Sequence, residues 1–269
     1  MFFRKMSLVK NAEEIELIRA NSQLVSRTLA EVAKRIAPGV TGLQLDKMAE
    51  EFIRDNGATP AFLGYEGYPN ALCVSVNEVV IHGIPTDYAF REGDIVSVDC
   101  GTRIKGYVGD SAYTFAVGEI SDEAKQLMRA TKECLRRGVA QAVEGNRVGD
   151  ISYAVQSYAE GLGYSVVRTM EGHGIGTKVH EKPGIPNYGK RGAGKKLIRG
   201  MTLCIEPMIN AGKKDVVLER DKWTLRTKDR RLSAHYEYAV AVGKNAPDIL
   251  TTFDYVEEVL RQKGSFFVE

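Results

Sequence analysis

From Asn11 onward, Ile18, Val25, Leu29, Val32 and Ile36 fall on one side of a helical repeat, which predicts an amphipathic helix ended by Pro38-Gly39. Thr41 followed by Gln44 forms a capping box for a second helix. Leu45, Met48, Ala49, Phe52 and Ile53 keep its spacing, and Gly57 sits at its stop. The hydrophobic period then changes to two, so strands dominate from about Ala71 to Val117. Within them "VSVDCGTRIKGYVGDSAYTF" (Val96 to Phe115) reads as a hairpin closed at Lys105-Gly106. After Ser121 helical spacing returns: a long helix through about Val143, then a second with Ile151, Ala154, Val155 and Tyr158 that stops near Gly163. The remainder reads mostly as strand and loop.

The second pair of helices repeats the first. Ile151, Ala154, Val155, Tyr158 and Gly163 superpose on Leu45, Met48, Ala49, Phe52 and Gly57 at nearly the offset that places "GMTLCIE" (Gly200 to Glu206) on "GDIVSVD" (Gly93 to Asp99). Both heptads carry a glycine, an apolar strand and a terminal acid. An internal duplication is therefore expected, with halves at about 11–117 and 121–242, each of two helices and a sheet. A pseudo-twofold axis between them would bring Asp99 and Glu206 together.

The acids inside the strands are the candidate chemistry. If the hairpin closes at Lys105-Gly106, Asp99 and Asp110 lie nearly opposite each other, at a cross-strand Cβ separation of about 5 Å. Like charges so placed repel. Glu237 interrupts the apolar run "SAHYEYAVAV", Glu206 ends its own strand, and His173 lies in "EGHGIG", whose glycines would admit a bound group close to the backbone. One strand carboxylate reads as an edge or salt-bridged residue. Several together cost several kcal/mol each if uncompensated, and no lysine or arginine directly flanks Asp99, Glu206 or Glu237. One or two divalent cations would neutralise them. Four carboxylates and a histidine form an oxygen-rich set suited to manganese, iron(II), cobalt or zinc.

Composition narrows the setting. At 269 residues with 27% charged side chains and a net charge of +2, the chain buries a large core and has no bulk charge to bind nucleic acid or an acidic membrane. "KRGAGKKLIR" (Lys190 to Arg199) is locally basic and reads as a solvated loop. Cys73, Cys100, Cys134 and Cys204 show no CxxC spacing, as expected of buried thiols in a reducing cytosol. No run suits a signal peptide or a membrane span, so a cytoplasmic protein is expected.

Asp99, Asp110 in "GDS", His173 in "GHGIG", Glu206 in "IEPM" and Glu237 in "YE" match in order the five metal ligands of type I methionine aminopeptidases, a family the chain closely resembles. "GYEGYPNALCVSVNEVVIHGIP" (Gly64 to Pro85) and "DKWTLRTKD" (Asp221 to Asp229) resemble it too. The resemblance runs from the first helix to about Val242. It implies an α/β pita-bread fold: two pseudosymmetric halves, antiparallel strands around a dinuclear metal site, and helices outside. It also implies a metal-dependent aminopeptidase that removes the N-terminal methionine of newly made proteins and peptides when the second residue is small. The implied cofactors are two divalent ions, cobalt, manganese, iron(II) or zinc.

By the same resemblance Asp99 binds one ion, Asp110 and Glu237 bridge, and His173 and Glu206 hold the other. Glu206 also relays a proton, His180 in "KVHEKPG" polarises the scissile carbonyl, and His82 in "IHGIP" contacts the nitrogen of the second residue. Tyr65, Tyr68, Cys73 and Trp223 line the methionine pocket with Val179, which stands where the family commonly has phenylalanine. Phe62, Val108 and Tyr238 are further departures from common family residues, and His235 has no family match and reads as structural. Proline-specific peptidases share the ligand set but typically add a large N-terminal domain; a non-catalytic module of this fold would generally lose ligands. The type II insertion has no room, since about 30 residues separate Glu206 from Glu237. The implied partners are nascent chains, with transient proximity to the ribosome, no nucleic-acid specificity, no membrane, and a monomeric state.

Overall fold

A computed structural model describes residues 8–269. The reading of the chain start as lacking a signal peptide falls largely on residues 1–7, outside the described residues.

Helix α1 (Ala12–Arg35) begins at Asn11, whose side chain accepts from the Glu14 amide while Glu14 accepts from the Asn11 amide, both at 2.9 Å. Helix α2 (Gly42–Asp55) has the expected Thr41/Gln44 box, and Gly57 leaves it at φ +73°. Helix α3 (Asp122–Val139) ends before the expected Val143, because Val143 bridges to Gly243 and Gly145 turns the chain at φ +96°. Helix α4 (Val148–Gly161) follows as expected. A fifth helix, α5 (Asp254–Lys263), occupies sequence read as strand and loop. It buries only Val256 and Leu260, so its apolar stripe is too narrow to stand out by period.

The hairpin forms with both turn residues left-handed, Lys105 at φ +51° and Gly106 at φ +81°, the requirement of a two-residue primed turn. Strands Ile95–Ile104 and Tyr107–Ala116 pair along their whole length. The register sets Asp99 opposite Ala112 and Asp110 opposite Gly101. The two aspartates are thus diagonal neighbours on one face and not an opposed pair. The free edge of Ile95–Ile104 takes Leu72–Val76 and Thr59–Pro60.

A second, five-stranded antiparallel sheet runs in the order Asp248–Ile249, Tyr238–Ala241, Thr202–Ile205, Glu171–Gly174, Glu181–Pro186. Two three-stranded sheets complete the framework. In one of them Met208–Asn210 pairs with Ser233–His235. Two chain segments therefore change sheets, one between Ile205 and Met208 and the other between His235 and Tyr238. Glu206 and Glu237 sit at these crossings. The Glu237 amide donates to Ala112 O at 3.0 Å, which ties this crossing to the hairpin.

One core cluster joins Leu29, Leu45, Val98 and Tyr113 to Leu127, Val155, Leu203 and Tyr236, so helices and sheets from both parts of the chain share it. All four cysteines are buried and unpaired, as read from the sequence. Burial pushes every one of these thiols up from its ordinary value. No described helix is long and apolar enough to cross a membrane.

Candidate active site

The four sequence-identified carboxylates and His173 converge on one cavity of about 610 Å³. Each comes from a strand or a strand crossing, so the ladder hydrogen bonds fix their backbones. Asp110 is 3% exposed and Glu237 2%. Asp99 Oδ1, Asp110 Oδ1 and Glu237 Oε1 have no hydrogen-bond donor among the described residues. Burial, then the charge of Glu237 and Asp99, drives the Asp110 carboxyl far up; burial pushes Asp99 up to about 7. Glu206 and Glu237 are raised by burial first and by neighbouring carboxylates second.

His173 completes the donor set. Its Nδ1 lies 3.0 Å from Gly174 O, which makes Nδ1 the donor and leaves the Nε2 lone pair aimed at Glu206 Oε1, 3.3 Å away, and Asp110 Oδ2, 3.9 Å away. Burial lowers the imidazole to about 3, so it is neutral there. A lone pair facing carboxylate oxygens is unfavourable unless a proton or a metal cation lies between them. The orphaned oxygens, the neutral imidazole and its backbone-oriented tautomer all fit divalent metal ions.

The three glycines around His173 serve a different purpose from the one expected. A Cβ on Gly172 would lie 2.3 Å from Cys204 O, one on Gly174 2.3 Å from Lys182 O, and one on Gly176 2.5 Å from Lys10 Cε. They admit neighbouring protein segments, not a bound group. Two residues that sequence reasoning set aside also sit beside the candidate metal-binding side chains. Cys204 lies opposite His173 in the ladder, and its Sγ is within 4.8 Å of ligand atoms of Asp110, His173 and Glu237. His235, read as structural, has a buried Nε2 without a hydrogen-bond partner among the described residues, 3.8 Å from Glu206 Oε2. Only strand pairing reveals either.

The other predicted residues line the same cavity: Tyr65, Tyr68, Cys73, His82, Val179, His180 and Trp223. Cys73 faces it because it pairs with Asp99. Tyr68 packs edge-on against Trp223 at 5.1 Å, and its hydroxyl is held between Leu72 O and Gly83 O. The Tyr65 hydroxyl lies 2.9 Å from His180 Nδ1. When that hydroxyl donates, the His180 proton is on Nε2, where it serves as a donor. His82 adopts φ +56°, a strained conformation for a non-glycine residue, immediately after strand Val79–Ile81. Burial lowers it to about 4, and His180 falls for the same reason, so both imidazoles are neutral near pH 7. Of the four family departures, Val179 and Phe62 line the cavity, Val108 is buried in the apolar cluster that contains both of them, and Tyr238 packs against Phe253.

Residues 16–244 match the model of metallopeptidase family M24. A methionine aminopeptidase from Clostridium acetobutylicum is 50% identical over 247 residues, which cover 91% of this chain and 99% of that protein. The chain belongs to the methionine aminopeptidases of family M24. A crystal structure of methionine aminopeptidase from Rickettsia prowazekii superposes with a TM-score of 0.89 at 40% identity, covering 91% of this chain and 99% of that one. This family membership makes the mixed α/β architecture a pita-bread fold and the chain a metal-dependent aminopeptidase. Prolidase from Pyrococcus furiosus shares the fold at 22% identity and a TM-score of 0.76, with 65% of its length covered.

Proposed function

We propose that the chain removes the N-terminal methionine of new proteins and peptides whose second residue is small. The convergence of five metal-binding side chains, two neutral histidines and an aromatic pocket on one cavity carries this reading. Asp99, Asp110, His173, Glu206 and Glu237 would hold two divalent ions, cobalt, manganese, iron(II) or zinc. Such ions would supply the charge that makes water a competent nucleophile near neutral pH.

The methionine side chain enters between Tyr65, Tyr68, Cys73, Val179 and Trp223, where a thioether gains contact with aromatic edges. His82 contacts the nitrogen of the second residue. His180 donates from Nε2 to the scissile carbonyl oxygen, and this bond strengthens as negative charge develops there. The Glu206 carboxylate takes a proton from the attacking water and returns it to the leaving amine. The chain acts as one catalytic unit whose halves, about 11–117 and 121–242, descend from a duplication; the order helix, helix, strands in each half supports this. It works as a cytoplasmic monomer on nascent chains, in transient proximity to the ribosome.

The test is to strip the metal, restore manganese, iron(II), cobalt or zinc in turn, and assay a Met-Ala-Ser peptide. Activity restored by at least one ion supports the reading. Cleavage of an Xaa-Pro peptide alone would replace it with a proline-specific activity.

A further inference from the structure

Lys10 and Glu181 form an ion pair almost wholly enclosed by protein, with Nζ to Oε2 at 2.7 Å and side chains 6% and 4% exposed. Burying such a pair seldom adds stability, because apolar residues of the same volume do as well or better. Its surroundings point to a positional role. The second oxygen, Glu181 Oε1, accepts from the Thr177 amide at 2.8 Å and from the Thr177 hydroxyl and the Lys178 amide, both at 3.3 Å. It thereby closes the turn that leads into Val179 and His180. From the hairpin side, the Val108 amide donates to Gly176 O and Arg103 Nη1 donates to Thr177 O, each at 2.8 Å.

Lys10 is fixed in turn. Its amide donates to Gly200 O at 2.8 Å, and Val9 bridges to Met201. Gly176 has no spare room, since a Cβ there would lie 2.5 Å from Lys10 Cε and 2.6 Å from Glu181 Oε1. Glu181 is seated at the start of its strand opposite Gly174, and His180 is its chain neighbour, with its ring 4.4 Å from that of His173. The Glu181 carboxylate is thus hydrogen-bonded to backbone amides two and three residues before the imidazole.

We propose that Lys10, acting through Glu181, is a positioning residue for His180, so that the segment before α1 sets where the carbonyl-polarising imidazole stands. This rests on the reading of His180 given above. Lys10→Met, Lys10→Arg and the double variant Lys10→Met/Glu181→Leu test it, each loaded identically with metal and assayed on Met-Ala-Ser. Lys10→Met is then repeated in a His180→Ala background.

Lys10→Met is expected to lower kcat by about 10- to 100-fold with KM nearly unchanged, the scale of a small misplacement of a catalytic group. Lys10→Arg should restore it. The double variant leaves no charge buried alone but removes the acceptor of the Thr177 and Lys178 amides, so it should regain part of the melting temperature lost in Lys10→Met but not kcat. In the His180→Ala background, Lys10→Met should change kcat no further. The same loss in that background, or a double variant that regains kcat together with melting temperature, would overturn the proposal. A His180→Ala enzyme with unimpaired kcat would instead remove the role of His180 itself, a result visible before any Lys10 variant is made.

Discussion

The floor of the cavity and its wall are built on opposite plans. The floor places carboxylates on strands and strand crossings, where backbone ladders hold them, and leaves Asp99 Oδ1, Asp110 Oδ1 and Glu237 Oε1 without donors. The wall stands largely on loops and turns, with His82 and Glu66, which also lines the cavity, in left-handed conformations, yet among the described residues none of its buried side-chain polar atoms is orphaned: Tyr65 meets His180, and Tyr68 meets two carbonyls. A satisfied wall is complete as folded. An unsatisfied floor fits divalent cations, so chemistry and recognition should fail separately.

The strongest way to break the floor alone is Asp110→Asn or Glu237→Gln. Each should lower kcat/KM by more than about 100-fold, the upper range for residues that only support a ligand. Full activity of either variant at stoichiometric metal, checked by metal analysis and a Met-Ala-Ser assay, would refute the assignment. His180→Ala attacks the wall where it meets the reaction. A loss of about 10² to 10³ in kcat, with a smaller change in KM, is expected in steady-state kinetics.

The recognition surface is probed by Leu-Ala-Ser, which should be cleaved about 10- to 200-fold less efficiently than Met-Ala-Ser because a branched side chain misfits the pocket. Val179, smaller than the residue common in the family, favours the low end of that range. Equal rates would show a broad aminopeptidase. Tyr65→Phe, which removes one hydrogen bond to His180, should cost about 2- to 10-fold in kcat.

The smallest effect concerns the metal-free protein. Its buried carboxylates have folded-state values raised above the unfolded ones, so their contribution to stability is full at low pH and is lost as pH rises through the folded values. His82, His173, His180 and His235 are lowered and work in the opposite direction as pH rises through an unfolded value of about 6.5, a gain nearly complete above about pH 7. From pH 7 to 8 the carboxylates dominate. Melting temperature should fall by roughly 2 °C or more over that interval without metal, and calorimetry should show the slope flatten once metal is added.

Much of this was legible because local rules and global fold agree. Asn11 and Thr41 announce helices, Lys105-Gly106 announces a primed turn, and acids inside apolar strands announce a site that needs cations. What escaped depends on register and on contacts between distant segments. The diagonal placement of Asp99 and Asp110 was in fact within reach, since a turn at Lys105-Gly106 already pairs Asp99 with Ala112. Cys204 and His235 approach the ligands through pairings with His173 and Met208 that no local pattern encodes. The glycines flanking His173 announced close approach but not what approaches. Helix α5 was lost because two buried residues in ten make no readable period.

The two strand crossings have a consequence for how the molecule opens. Because Thr202–Ile205 and Met208–Asn210 belong to different sheets but to one continuous segment, and Ser233–His235 and Tyr238–Ala241 repeat the arrangement, neither ladder can separate without straining the other. In hydrogen-exchange terms the amides of these four strands form one opening unit. Glu206 and Glu237 lie at its two seams, so a cation held there would act as a fastener that favours the closed form. Its arrival should slow exchange in both sheets together, including at amides that lie well outside the cavity.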